Sequence, residues 1–382
     1  MEQRRFSGKS HWYHETQSST RQAQALPLVP EAAAVDDPFL LNLTLPPAFT
    51  TTLSGWLQPA RKVYTLLFAQ RVMVNRLHTF SVYDRLSTAL TVAQVYGVQR
   101  LCNHYAARLA PLPGPDSSRE SNQRLAQMTQ FARQLAFSPN VIDARARQQL
   151  EDVGLTRHDI VLMSQIIGFI SFQARAVAVL QALLGQPVRW LPGMEMQQPA
   201  PPEGFADLSG TWQPGIEGVE IRTASARQLE SLANWQPLPA FRLLAPVLAH
   251  HASTLDALGE IYQAVASEPP DEPWQQLAAL YTARINGSVS CFGEYRRDGA
   301  ILAETMLSDD PLSHSGEDKK AHAVLQSVQH LTCAPDRFSP AHLALLKESG
   351  FSEASAISLL IWSALCGWFN RLKIAVGDVT CP

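Results

Sequence analysis

A chain of 382 residues with 31 Lys and Arg against 34 Asp and Glu carries a net charge of −3 and a pI near 6.4. With no long basic run, this balance argues against a nucleic-acid partner, and the length exceeds what a single hydrophobic core organises. Five cysteines, Cys102, Cys291, Cys333, Cys366 and Cys381, are odd in number and not framework-spaced, which predicts a reducing, cytoplasmic setting.

In chain order, residues 1–47 are polar, lack an apolar secretory core and show no sustained period, so they predict a flexible arm. From Leu53 helical patterning dominates, with helices expected over 54–79, 83–97, 98–111, 119–137, 143–153 and 156–185. The proline-rich stretch 187–218 predicts a linker between two domains, 48–186 and 219–382. Helical patterning resumes over 238–267, 272–286, 288–306, 318–331, 340–349 and 352–377. No β-alternating run interrupts this, and the class is all-α. The most apolar runs, 160–172 and 357–369, are broken by Ser164, Gln165, Ser363 and Gly367 and fall short of a bilayer span, so they predict buried core helices and no membrane partner.

The second series of helices repeats the first. Without a gap, Pro139 falls on Pro335, Leu150 on Leu346, Gly154 on Gly350, Phe172 on Trp368 and Arg175 on Arg371. Earlier in each half, Gly97 falls on Gly287, Leu101 on Cys291 and Tyr105 on Tyr295. Shared arginines after apolar helices, and the shared Gly-to-Tyr spacing, favour duplication over convergent hairpins.

The stretch LYTARINGSVSCFGEY, from Leu280 to Tyr295, holds the leading chemical candidate. A turn at Asn286-Gly287 and an N-cap at Ser288 place Cys291 in the first turn of a helix, where backbone donors and the helix dipole favour a thiolate. A cysteine between Val289 and Phe292 equally suits a small buried core residue. Glu294, three residues on, shares its face and is a candidate base or anion. Arg284 is a candidate to hold the thiolate or an anionic substrate, and equally suits a partner for a helix-end carbonyl or a surface salt bridge. His250 and His251 have no carboxylate or cysteine at ligand spacing, so no metal is expected. His104 predicts a capped surface histidine, and Arg175 and Arg371 predict helix-end charges or bridges between the copies.

With RINGSVSCFGEY followed by GFSEASAISLLIWSALCGWFNR, the sequence resembles the alkylhydroperoxidase D-like, carboxymuconolactone decarboxylase superfamily, and within it the peroxidase-related branch. The resemblance implies two tandem helical units, no cofactor, a homo-oligomer, and a small peroxide or a thiol/disulfide as partner. It further implies a Cys-x-x-Cys-x-x-x-His relay completed by an upstream glutamate, in which the second cysteine attacks the peroxide and the first resolves it. Position by position the attacking cysteine is Cys291, the resolving position Ser288, the histidine position Tyr295, and the glutamate position falls near Gln276. Serine cannot form the disulfide and an amide cannot act as base, so turnover must draw on Cys381, Cys366 or an external thiol. In the first copy Leu101 holds the attacking position and Cys102 faces elsewhere, so that copy is expected to be silent. The competing expectations are a non-catalytic helical scaffold or small-molecule binder, and acid–base chemistry on a cyclic acid, for which no His/Glu pair is found.

Overall fold

Thr156 starts one of the two helices that organise the interior. Its hydroxyl accepts from Asp159 N, and the Asp159 carboxylate accepts from Thr156 N, a capping box that opens Arg157–Leu183. Its counterpart, Glu353–Val376, opens behind Ser352, whose hydroxyl accepts from Ser355 N. Either helix is long and apolar enough to cross a bilayer, yet their most apolar windows are 89% and 94% buried inside the protein, where the two pack along each other. The computed structural model describes residues 30–41, 43–188, 193–267, 272–296, 304–313, 315 and 318–380, and within them the fold is all-α.

Where the two helices cross, Gly168 admits the indole of Trp368. A Cβ there would lie 2.0 Å from Trp368 Cδ1, an overlap that only repacking of the fully buried ring can relieve. Gly168→Ala is therefore expected to lower stability by about 1–3 kcal/mol. Gly114→Ala, with nothing within 4 Å of its Cβ, is the control in the same urea titration.

Ser54–Leu67, Val82–Tyr96, Gln99–Leu109, Arg119–Phe137, Ala144–Asp152 and Arg157–Leu183 run in the same order as Ala252–Ser267, Glu272–Asn286, Val289–Tyr295, Lys319–Cys333, Pro340–Glu348 and Glu353–Val376. Helix ends match as well. Gly97 (φ 65°) and Gly287 (φ 74°) sit in left-handed conformations before the third helix of each series, and Gly154 (φ 86°) and Gly350 (φ 102°) before the last. Ser54–Leu67 packs on Ala252–Ser267, so first and last helices each face their counterparts. Two buried arginines cross the seam reciprocally. Arg175 Nη1 donates to Ser171 O and its Nη2 to Thr332 O at 2.6 Å, while Arg371 Nη1 donates to Gly367 O and its Nη2 to Ala136 O at 2.9 Å. Tyr96 lies against both, with ring-to-guanidinium distances of 4.5 and 5.8 Å. These arginines are interior bridges, not charges at helix ends.

Several expectations need correction. The part of the N-terminal arm that is described is anchored: Phe39, Leu40, Leu41 and Leu43 are buried, and Asp37 pairs with Arg61. Residues 1–29 and 42 lie outside the described set, as does Cys381. The helix expected over 54–79 stops at Leu67, and an irregular segment with an Asn75 turn follows, because its apolar residues Met73, Val74 and Leu77 find no face to bury. Pro239 and Pro246 break the start of 238–267 into short turns, and the helix expected over 288–306 ends at Tyr295. The stretch 187–218 is not a free linker. Gln197, Ala200, Phe205, Trp212 and Ile216 are buried, and Thr211–Pro214 pairs antiparallel with Gly377–Thr380 in a two-stranded ribbon.

Candidate functional site

The segments that carry the family resemblance, RING at 284–287 and FNR at 369–371, meet in the second half. Asn286 Nδ2 donates to Asn370 Oδ1 at 3.0 Å, Gln197 Nε2 donates to Asn286 Oδ1 at 2.9 Å, and Arg371 donates to Gln197 Oε1 at 3.3 Å. A polar chain thus runs from the seam to Asn370, which lies against the sulfur of Cys291. Arg284 serves the backbone: Nε donates to Met306 O at 2.8 Å, Nη1 to Ala200 O, and Phe205 stacks on the guanidinium at 5.1 Å. That is the carbonyl-binding role.

Cys291 occupies the third position of Val289–Tyr295, and Ser288 stands at the N-cap position without making a cap bond. Its Oγ and Asn370 Nδ2 are both buried without a hydrogen-bond partner of normal geometry, and both lie against the Cys291 sulfur. The thiol is 2% exposed. Burial pushes it up, above the ordinary thiol range; Lys373, Ser288 and Asn370 pull it down and Glu294 pushes it up. The lowered pKa expected from the helix start is therefore not what forms, because one short helix cannot offset full desolvation.

Glu294 and Tyr295 turn to other partners. The Glu294 carboxylate takes both of its bonds from Lys373 Nζ, at 2.5 and 2.6 Å. Tyr295 Oη sits 3.8 Å from Cys366 Sγ, and burial drives both groups upward in pKa. Gln276, at the relay's glutamate position, donates to Tyr295 O at 2.9 Å and holds the helix end. Facing contacts therefore pair 291 with 370 and 295 with 366, so Cys366 lies opposite Tyr295, a turn away from Cys291. A cavity of about 170 Å³ abuts the site, lined by Ser288, Lys373, Asn140, Trp212 and Asp378. Cys291 does not line this space; Ser288, which lies against the sulfur, does.

The corresponding positions of the first half are apolar. Thr282, Ser288, Cys291, Ser363, Cys366, Asn370 and Lys373 match Val92, Val98, Leu101, Ile167, Ile170, Ala174 and Val177. Cys102 Sγ donates to Ala93 O and its pKa is pushed up to about 12 by burial. His104, expected at the surface, is buried between Tyr64 Oη (2.7 Å) and Ala32 O (2.7 Å). Asn370 entered the sequence reading only as part of FNR, and Lys373 did not enter it; a single lysine in a 24-residue, largely buried helix was the available signal.

His250 and His251 belong elsewhere. With His78 and His158 they line a cavity of about 750 Å³ at the seam. His78 Nδ1 and His158 Nδ1 are 2.8 Å apart, and the ring centroids of His158 and His251 lie 3.7 Å apart with the planes tilted by 53°. His251 Nε2 meets His158 O and His250 Nε2 meets Glu217 O. Among the described residues no three His, Cys, Asp or Glu side chains are arranged to hold a metal ion. No protein family and no curated protein matches this sequence.

Proposed function

We propose that the chain is a tandem member of the alkylhydroperoxidase D-like superfamily and a thiol oxidoreductase, with the second half as the working copy and Cys291 as the sulfur oxidised by a peroxide or a small disulfide. The observation that carries this reading is the polarity around Cys291 at positions that are apolar in the first half. A cysteine acting only as a small hydrophobe needs apolar neighbours, as Leu101 has, whereas Cys291 has Ser288, Asn370 and the Lys373–Glu294 pair. Buried polar groups without partners cost stability, and they concentrate where chemistry needs them. Matching glycine turns, the repeated order of helices and the reciprocal arginines support the tandem reading. Free Cys102, Cys291, Cys333 and Cys366 suit a reducing cytoplasm. The reading includes a homo-oligomer, which the mass in solution tests; a monomer overturns that part.

The second reading is a helical scaffold or small-molecule binder, favoured by the burial and raised pKa of the Cys291 thiol and by the separate histidine-lined cavity. Trapping of a sulfenic acid with dimedone, located by peptide mass, separates the two. Under the oxidoreductase reading Cys291 is labelled, Cys291→Ser loses the label and Cys102→Ser keeps it. Because the thiol is raised and only the thiolate attacks, the rate should climb about tenfold per pH unit between pH 6 and 8. Absence of label at peroxide levels that oxidise free cysteine establishes the scaffold reading.

A further inference from the structure

The connection between the first two helices of each series runs over 68–81 in the first half, but only over 268–271 in the second. The helical unit therefore closes without the longer version, and long connections are where binding surfaces concentrate. Residues 69–77 form the outer part of this one. Met73 is 87% exposed, Leu77 70% and Val74 55%, three large apolar side chains on one short stretch of chain.

Polar bonds hold these side chains out. Leu77 N and His78 N donate to Asn75 Oδ1 at 2.8 and 3.0 Å, and Asn75 N donates to His78 O at 2.9 Å, which closes a turn. Beneath it Thr156 Oγ1 donates to Leu77 O at 2.8 Å, Thr79 Oγ1 donates to Asp159 Oδ2 at 2.6 Å, and Phe80 is buried. The base is thus fixed on the start of Arg157–Leu183 while the tip stands clear. Arg71 and Arg76 flank the apolar residues; both are exposed, and among the described residues neither has a hydrogen bond or an ion pair. No Asp or Glu occurs between Asp37 and Asp84. The carboxylates near the base, Asp84, Asp159 and Glu217, are engaged by Arg124, Thr79 and Arg157.

We propose that the 69–77 tip docks the protein on an anionic lipid surface, as a peripheral contact and not as a span. Met73, Val74 and Leu77 project from a turn, so a rigid partner would have to supply a recess for them, whereas the boundary between headgroups and acyl chains deforms around them. Three side chains alone anchor weakly. Stable attachment takes a second signal, and the unpaired Arg71 and Arg76 supply it: their stems lie along the apolar residues while their guanidinium groups stay at the level of the lipid phosphates. Their charge also selects the lipid, because a tip carrying cations and no carboxylate gains from a negative surface and nothing from a neutral one. The contact is independent of Cys291 and of the thiol reading.

The test floats the full chain with vesicles of phosphatidylcholine containing about 30 mol% phosphatidylserine, and with vesicles of phosphatidylcholine alone. The wild type should prefer the anionic vesicles by about thirtyfold, the effect of two arginines near a charged surface, and added salt should erase the preference. Arg71→Gln/Arg76→Gln should lose that preference, and Met73→Ser/Leu77→Ser should bind the anionic vesicles at least about tenfold more weakly. All four side chains are exposed, so both variants should keep the wild-type urea midpoint. Val141→Ser is the control: Val141 is 50% exposed and follows the end of Arg119–Phe137, the helix that meets the base of the tip nearer its start, through Arg124. It should bind as the wild type does, and an equal loss there would mark general stickiness and overturn the proposal. Failure of the wild type to float with anionic vesicles also overturns it. In that case self-association lost in the tip variants assigns the face to a second copy of the chain, and capture on an immobilised poly-glutamate peptide assigns it to an acidic protein.

Discussion

Replacing Arg371 with methionine is expected to cost the fold about 3–5 kcal/mol, a large part of the stability of a typical protein. The guanidinium is fully buried and donates to Gly367 O, Ala136 O and Gln197 Oε1, with the Tyr96 ring 5.8 Å away. Methionine fills similar volume but leaves Gln197 Oε1 without a donor and the Ala136 carbonyl with the Tyr96 hydroxyl in place of two donors, and a buried polar group that loses its partner costs about 1–3 kcal/mol. Burial draws Arg371 down to about 10, so the charge persists at neutral pH and the pull of two carbonyls and a ring must hold it. Lysine should not rescue the site, because one ammonium cannot reach Gly367 O and Ala136 O with the separation that the planar fork provides. Arg175→Met should cost a similar amount through Thr332 O, and the double variant should fall short of additivity, since both groups share Tyr96. Urea midpoints of the three variants check this; losses under about 1 kcal/mol would show that the crossing bonds are dispensable.

Periodicity made the helices legible, and positions such as Gly97, Gly154, Gly287 and Gly350 made their ends legible, because these signals act within a turn or two of chain. The pairing of RING with FNR was visible as motif but not as contact: nothing local says that Asn286 bonds Asn370, or that Arg371 reaches Ala136 across the molecule. The thiol was misjudged for the same reason. A helix start favours a thiolate, but whether the sulfur meets water is decided by Ser288, Asn370 and Lys373, two of them about 80 residues away in sequence. The proline-rich stretch read as a linker by composition, whereas Phe205, Trp212 and Ile216 bury themselves on the second half. Four isolated histidines gave no motif, because His78, His158 and the 250–251 pair come together only when the two halves close.

That closure predicts acid sensitivity. His158 and His251 are neutral at pH 7. Burial lowers His158 to about 4, with His78 adding to the shift, and burial followed by His158 lowers His251 well below its usual range. The groups facing them are His78 from the irregular segment, Arg85 from Val82–Tyr96, Arg157 and Asp159 from the start of Arg157–Leu183, and His250. Arg157 is paired with Glu217, and the Asp159 carboxylate is engaged by Thr79, so neither carboxylate is free to offset new charge. A histidine whose folded pKa is depressed contributes stability that is fully present above about 6.5 and is lost as pH falls toward the folded value, because the unfolded chain binds the proton first. For His158, allowing for its partial exposure, this amounts to about 2 kcal/mol by pH 4, and His251 adds in the same direction. Urea unfolding between pH 7 and 5, above the range in which carboxylates titrate, should therefore show a steady loss of stability in the wild type. In His158→Gln/His251→Gln the slope should fall by more than half, and the two proteins should converge in acid. Parallel curves would show that these imidazoles take up their protons in the folded state without cost, and that the seam between the two halves does not depend on their neutrality.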